Sequence, residues 1–216
     1  MKRDWPAGQN ANLQVRSVCA DCNNGWMSAL EQEARPILEP LIRSHKLLGP
    51  RTRDAEILSR WSMKTLMVSE AAHPSRAFFE ASERLGLATL GQLPSQVKTV
   101  ISLARSDGLP PLQILQPEVR LRFSASNNAK RTVMVPGTSC TLVLSSLVIQ
   151  VAVLRIPASM NASPFIAKVI DRWSDHSLVI HPVGRASGRP AREPRALDSD
   201  LFSQFVNRWL PNPDPD

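Results

Sequence analysis

The sequence has little cysteine and no long apolar run. Only 3 of its 216 residues are cysteine, an odd number, and the charged N-terminus is not followed by the apolar stretch of a secretion signal. Both features disfavour a disulfide framework and predict a protein of the reducing cytoplasm. The longest apolar run, residues 147–154, is interrupted by Gln150 and is too short to span a bilayer, so no membrane partner is expected.

Acidic residues are also in the minority. The chain has 26 Lys and Arg against 19 Asp and Glu, which gives a formal net charge of +7 at pH 7. Such a balance favours acidic partners, of which nucleic acid is the common one. The alternative is a basic protein whose charges are simply solvated. Hydrophobic residues make up 43% of the chain, an ordinary share for a globular protein, and this excludes wholesale disorder.

Apolar positions up to about residue 90 recur at helical spacing. A first helix is predicted over residues 26–35, and Pro36 is expected to end or bend it. Further helices are predicted over 37–42, 52–72 and 75–85, the last one ending at Gly86.

The apolar spacing changes to the alternation of strands after residue 95. Strands are predicted over 97–103, 119–123, 132–135, 141–144, 147–156, 165–170 and 178–180. Pro136 and Gly137 are expected to form a turn, and the short connections favour antiparallel pairing. A last helix, residues 201–210, is predicted to be capped by Asp198.

The predicted fold class is therefore α+β. An N-terminal zinc-knuckle-like turn and helices precede a mostly antiparallel sheet, and a C-terminal helix closes the fold. The predicted parts are a residual knuckle and helix (1–35), a helical region (36–90), an antiparallel β region (95–183), an Arg/Pro/Gly loop (184–197) and the C-terminal helix (198–210).

Cys19 and Cys22 form a Cys-x-x-Cys pair in a polar turn that leads into the first helix. This spacing aims two thiolates at one point, which is half of a tetrahedral zinc site. Two alternatives stay open. One is a redox dithiol, although the sequence shows no strand–helix context that would activate the first thiol. The other is two unrelated cysteines. The favoured prediction is that Cys19 and Cys22 are metal ligands and that zinc is a structural cofactor.

A longer motif surrounds the cysteine pair and has counterparts further along the chain. It comprises Val18-Cys19-x-x-Cys22-Asn23-Asn24-Gly25-Trp26-Met27-Ser28-x-Leu30-Glu31, then Pro36-Ile37-Leu38, Pro40-Leu41-Ile42 and Trp61-Ser62-x-Lys64-Thr65. These residues resemble those of a family of bacterial and phage proteins described as HNH-endonuclease-like. The resemblance is close in the N-terminal third of the chain and loose beyond it.

The resemblance implies that intact relatives are metal-dependent phosphodiester hydrolases. In an HNH site a histidine general base activates water, an asparagine orients it, and one divalent metal ion holds the scissile phosphate. Asn23 matches the family asparagine that follows the knuckle, so it is the candidate catalytic residue. Relatives with cysteines hold a separate structural zinc between two knuckles.

The resemblance places the first knuckle and the histidine base upstream of Cys19, where this chain has neither histidine nor cysteine. The histidines are His45, His73, His176 and His181, and none follows the family motif. We therefore expect a truncated or catalytically incomplete, nucleic-acid-associated protein. The alternative is a non-enzymatic DNA-binding or protein-interaction module of a mobile element. A divalent catalytic metal is expected only with an intact site. The zinc site is expected to be incomplete or shared between two chains of a homodimer.

Arginines mark the expected nucleic-acid contacts. Arg16 lies near the knuckle, and four more lie in the Arg/Pro/Gly loop: Arg185, Arg189, Arg192 and Arg195. They are candidates for phosphate contact without sequence readout, and the alternative for the loop is a solvated linker. The third cysteine, Cys140, is predicted to be a buried structural thiol. Trp26 and Trp61 are predicted to be packing anchors.

Overall fold

A computed structural model describes residues 18–44, 46–47, 49–71, 78–107, 113–115, 118–124, 132–161, 163–182 and 193–209. The helices are α1 (Ala20–Cys22), α2 (Ser28–Arg43), α3 (Thr52–Ala71), α4 (Ala81–Leu90), α5 (Ser163–Arg172) and α6 (Ser199–Asn207), with a π-helical turn at Asn23–Met27 between α1 and α2. The strands are β1 (Lys98–Arg105), β2 (Gln113–Leu115), β3 (Glu118–Ser124), β4 (Thr132–Leu144), β5 (Leu147–Leu154) and β6 (Ser177–His181). The α+β class is confirmed.

The strands form one antiparallel sheet. β5 pairs with β4 on one side and with β1 on the other, and β6 follows β1 at the edge. Both β2 and β3 pair with the remaining edge of β4. All these ladders are antiparallel, as short connections between strands predict.

Helices cover both faces of the sheet. α2, α3 and α4 pack on one face, with side chains such as Leu58 and Leu66 against Ile101 and Ile149. α5 and α6 pack on the other face, where Phe205 of α6 is fully buried. Because every residue of β5 is buried, this strand reads as a continuous apolar run rather than an alternating one.

Two helices were predicted well. α3 spans Thr52–Ala71, as its apolar spacing indicates. α6 begins after Asp198, whose carboxylate accepts a hydrogen bond from the Leu201 N–H at 2.8 Å. That bond satisfies one of the free N–H groups at the helix start.

The first helix does not end at Pro36, and the separate helix predicted over 37–42 is wrong. α2 is a single helix that runs through both Pro36 and Pro40, which lie on its exposed side. Its buried stripe consists of Leu30, Ala34, Leu38 and Leu41. This stripe continues past Pro36, so the burial of its side chains outweighs the backbone hydrogen bonds that the prolines remove.

The helix predicted over 75–85 is displaced. α4 spans Ala81–Leu90 and passes through Gly86, while residues 75–77 lie outside the described residues. A capping box between Glu80 and Glu83 sets its start. Gly91, with a φ of 62°, ends it in the left-handed conformation that glycine adopts most easily.

The strand predicted over 165–170 is a helix, α5. Its apolar residues Phe165, Ile166, Val169 and Ile170 occur as pairs four positions apart, and they pack on the sheet as one face of the helix. The β-branched residues suggested a strand, but the burial of this amphipathic face overrides that preference.

The turn predicted at Pro136 and Gly137 is also wrong, because β4 runs through both residues. The missing N–H of Pro136 is tolerated, and its carbonyl accepts a hydrogen bond from the Arg155 N–H at 3.0 Å. Cys140 is fully buried in the same strand, as predicted, and burial raises the pKa of its thiol to about 12.

Candidate functional site

Cys19 and Cys22 lie within the first helical turn rather than in a turn before the helix. Cys19 is the N-cap of α1, and its sulfur accepts a hydrogen bond from the Cys22 N–H at 3.1 Å. The Asn23 N–H donates to the Cys19 carbonyl at 3.0 Å, which closes the turn. Residues three apart in a helix face the same side, so both thiols lie on one side of the chain.

The two thiols differ in their electrostatic state. A hydrogen bond from the Cys22 thiol, supported by the Cys22 N–H, lowers the pKa of Cys19. The same bond to Cys19 raises the pKa of Cys22, with desolvation adding to it. Cys19 is exposed and Cys22 is only partly exposed. The pair is therefore asymmetric: the more accessible sulfur, that of Cys19, has the lower pKa of the two.

A π-helical turn follows the cysteines directly. Its Gly25 departs from helical geometry, with a ψ of −112°, so the chain kinks between α1 and α2. Trp26, in the same turn, packs against the core below α2 and α3, as predicted, and its buried indole Nε1 has no hydrogen-bond partner among the described residues.

Asn23, the predicted catalytic asparagine, is exposed at the start of the π-helical turn. Among the described residues, no group of three or more His, Cys, Asp or Glu side chains is placed to hold a metal ion. His176 precedes β6 and His181 ends it, whereas His45 and His73 lie outside the described part of the chain. Within that part, the cysteine pair thus offers two ligands of a tetrahedral site.

Two parts of the longer motif, one containing Glu31 and the other containing Trp61 and Lys64, contact each other between α2 and α3. The Glu31 carboxylate of α2 accepts a hydrogen bond from the Trp61 indole at 2.8 Å and pairs with the Lys64 ammonium. Lys64 also lies 5.7 Å from the centre of the Trp61 ring. Sequence reasoning did not foresee this contact. The contact joins the two helices. It gives these motif residues a structural role that requires no part in catalysis.

The connection between α2 and α3 forms a basic surface that sequence reasoning missed. Residues 43–53 contain four exposed cations and no acidic residue: Arg43, Lys46, Arg51 and Arg53. No ion pair is found for any of the four within the described structure. We call these four side chains the basic connection. The signal was present in the sequence as a run of cations uninterrupted by an acid.

The backbone of the basic connection is anchored in the core. Leu47, at its centre, is 1% exposed. The buried guanidinium of Arg105 on β1 donates to the Leu41 carbonyl in the last turn of α2 and to the Lys46 carbonyl at 3.0 Å. A cation at this position also suits the negative end of α2. The described backbone of this connection is thus held against the core at Leu41, Lys46 and Leu47.

Of the arginines predicted to contact nucleic acid, Arg195 alone falls in the described structure. It is exposed, and its backbone N–H donates to the Asp175 carbonyl at 2.7 Å. The others, Arg16, Arg185, Arg189 and Arg192, lie outside the described residues.

Comparison of the chain with protein-family models, with curated proteins and with solved structures gives no match. None of the described helices combines the length and apolar character needed to cross a bilayer. The interpretation of the site therefore rests on the chain's own residues and geometry.

Proposed function

We propose that this chain is a nucleic-acid-associated protein of HNH-endonuclease-like ancestry that binds the phosphate backbone through the basic connection. The observation that carries the proposal is a set of four exposed cations, without an ion pair among the described residues, on a backbone anchored by Leu47 and Arg105. Cations held in this way neutralise phosphates and release counterions, which gives affinity without reading base sequence. Arg195 extends the set of candidate contacts.

Binding rather than hydrolysis is the proposed activity of this polypeptide. Asn23 is exposed, but hydrolysis by an HNH site also needs a histidine base and a metal on the phosphate. An intact relative with those groups would cleave phosphodiester bonds with a divalent metal ion.

We propose that zinc is bound between two copies of the chain. Cys19 and Cys22 of each copy supply two thiolates from the same side of a helical turn, so a pair of copies completes a four-thiolate tetrahedral site. The metal's role there is structural, since four protein ligands leave no position for water or substrate.

The slope of DNA retention against salt tests the basic connection. If all four cations of a single chain contact phosphates, log K for that chain falls with log salt by a slope of about 3.6, because each contact contributes about 0.9, and a zinc-joined pair would double this slope. Replacing Arg43, Lys46, Arg51 and Arg53 together with alanine removes that slope. A matched control replaces four other exposed cations with alanine: Arg35, Lys98, Lys168 and Arg172. Equal weakening by both variants would point to general net charge and overturn the proposed surface.

Zinc content and mass by light scattering, measured on one untagged sample, test the shared site. Half a zinc per chain in a dimer, with both zinc and dimer lost in Cys19→Ser, is the expected result. A zinc-free chain with an intact fold would overturn the site and leave the DNA test unaffected.

A protein-interaction module is the second candidate. α4 carries two of the exposed large apolar side chains found in the described structure, Leu85 at 61% and Leu90 at 68% exposure. Exposed apolar residues grouped on one helix are a feature of interaction surfaces.

A further inference from the structure

The two cysteines already contact each other. The Cys22 N–H donates to the Cys19 sulfur at 3.1 Å. Side chains one helical turn apart have Cβ atoms about 5–6 Å from each other, and a disulfide brings its Cβ atoms to about 3.5–4.5 Å, so a small adjustment of the turn is needed to close the bond. The sequence disfavours a redox dithiol because it shows no strand–helix context. The structure supplies the helical part of that context, because Cys19 caps a helical turn.

We propose that Cys19 and Cys22 form a reversible intrachain disulfide by exchange with a small-molecule disulfide. The roles follow from access. Cys19 is exposed and is the attacking sulfur, while the less exposed Cys22 resolves the intermediate. The inference concerns the chemistry of the cysteine pair and does not depend on nucleic-acid binding.

Each intrachain disulfide that forms consumes one small-molecule disulfide and releases two small-molecule thiols. The Cys19 thiolate attacks one sulfur of the small disulfide, so a Cys19–S bond forms and the first small thiolate leaves. Cys22 then loses its proton to solvent and attacks the Cys19 sulfur. The mixed disulfide breaks, the second small thiolate leaves, and both small thiolates take up protons. The cysteine pair is oxidised by two electrons and the small disulfide is reduced by two.

The local backbone can accommodate the closed form. Gly25 lies three residues after Cys22, where the helix is already kinked, and nothing lies within 4 Å of the position that a Cβ would occupy there. The first turn can therefore adjust without moving α2, whose buried stripe begins at Leu30. This places the change in geometry in an exposed turn and leaves the core undisturbed.

Closing the disulfide removes both thiolates, so oxidation and metal binding exclude one another at this site. That consequence rests on the proposed zinc site, whereas the exchange itself does not. Disulfides in cytoplasmic proteins are typically transient and redox-sensing, which matches an exposed pair of this kind.

Intact-mass spectrometry on the metal-free full chain, incubated with oxidised glutathione, tests the proposal. The expected product of the wild-type chain has lost two hydrogen atoms, carries no glutathione, and returns to the starting mass with a reductant. Cys22→Ser is expected to stop at a glutathione adduct on Cys19, because the resolving sulfur is missing. Cys19→Ser is expected to form its adduct on Cys22 more slowly.

Cys140 is the internal control, since it is fully buried and should remain unmodified throughout. Cys140→Ser should behave as the wild-type chain does. Stable glutathione adducts on the wild-type chain, or equal adduct rates in the two single variants, would overturn the proposal. Both cysteines are at the surface, and circular dichroism of each variant confirms that the fold is retained.

Discussion

Replacing Gln150 with leucine is expected to detach the last helix from the sheet. Gln150 is fully buried on β5, and its amide donates to the Phe205 and Val206 carbonyls at 3.1 and 3.2 Å. Its carbonyl accepts from the Arg208 Nε at 2.7 Å and from the Trp209 indole at 3.0 Å. One strand side chain therefore caps α6 and fixes the two residues that follow it.

The expected loss of stability in Gln150→Leu follows from the groups that lose a hydrogen-bond partner when leucine replaces the amide. The Val206 carbonyl, the Trp209 indole and the Arg208 Nε each lose a buried partner, at about 1 kcal/mol or more apiece, while the Phe205 carbonyl keeps the Arg208 N–H at 3.4 Å. Burying leucine in place of the polar amide offsets about 1 kcal/mol. The Arg208 guanidinium raises the cost, because burial already lowers its pKa to about 9 and its hydrogen-bond partners on the sheet are neutral. The net loss is about 3 kcal/mol, a fall in Tm of roughly 6–12 °C for a chain of this size.

Urea unfolding gives the free energy, and hydrogen exchange locates the loss. The amides of α6 should exchange faster in Gln150→Leu, while those of α2 keep their protection. Thr141→Val is the matched control, because it removes a single bond to Gln150, of 3.1 Å, in the same layer. Gln150→Leu costing no more than Thr141→Val would refute the idea that this amide holds α6 in place.

Three further outcomes follow from other contacts. Glu83→Gln should be less stable than the wild type at neutral pH. Burial raises the pKa of Glu83, but Arg155, at 2.8 Å, and the Glu80 N–H outweigh burial and lower this pKa. Urea melts across pH should show the difference in stability closing as pH falls below the ordinary carboxyl pKa of 4.5, because the stabilisation is lost as the folded-state carboxylate protonates. Alkylation of the native protein at pH 8 should label Cys19 and Cys22 but not Cys140, because burial raises the pKa of the Cys140 thiol to about 12. Labelling of Cys140 without unfolding would contradict its buried position in β4. Glu31→Gln should lower the free energy of unfolding by about 1 kcal/mol, measured in thermal melts, because it weakens the contact with Lys64. Glu33 is more peripheral and faces Arg60 at 3.2 Å, so Glu33→Gln should lower the free energy of unfolding by about half as much.

Elements with one dominant signal could be predicted from the sequence. The apolar spacing of α3, the Asp198 cap of α6 and the burial of Cys140 are local properties, and the structure confirms them. Elements decided by tertiary packing could not. The helix α5 was mistaken for a strand, since its apolar face has meaning only against the sheet that it covers.

The candidate site shows the same division. The pairing of Cys19 and Cys22 was visible as a spacing, but the helical turn that makes the two thiols unequal was not. The cations of the basic connection were visible in the sequence. The anchoring of their backbone was not, because it depends on Arg105, which lies far along the chain on β1.

The cysteine pair and the basic connection lie at opposite ends of α2. This helix has 16 residues and spans about 24 Å at 1.5 Å per residue. That distance exceeds the screening length of about 8 Å at physiological salt, so a change of charge at the cysteines has little direct effect on phosphate binding. Oxidation should therefore leave the DNA affinity of a single chain unchanged. If the proposed zinc site joins two chains, the effect of oxidation on DNA retention should act through assembly, because such a pair would bring two basic connections to one nucleic acid, whereas chains closed by disulfides would bind singly.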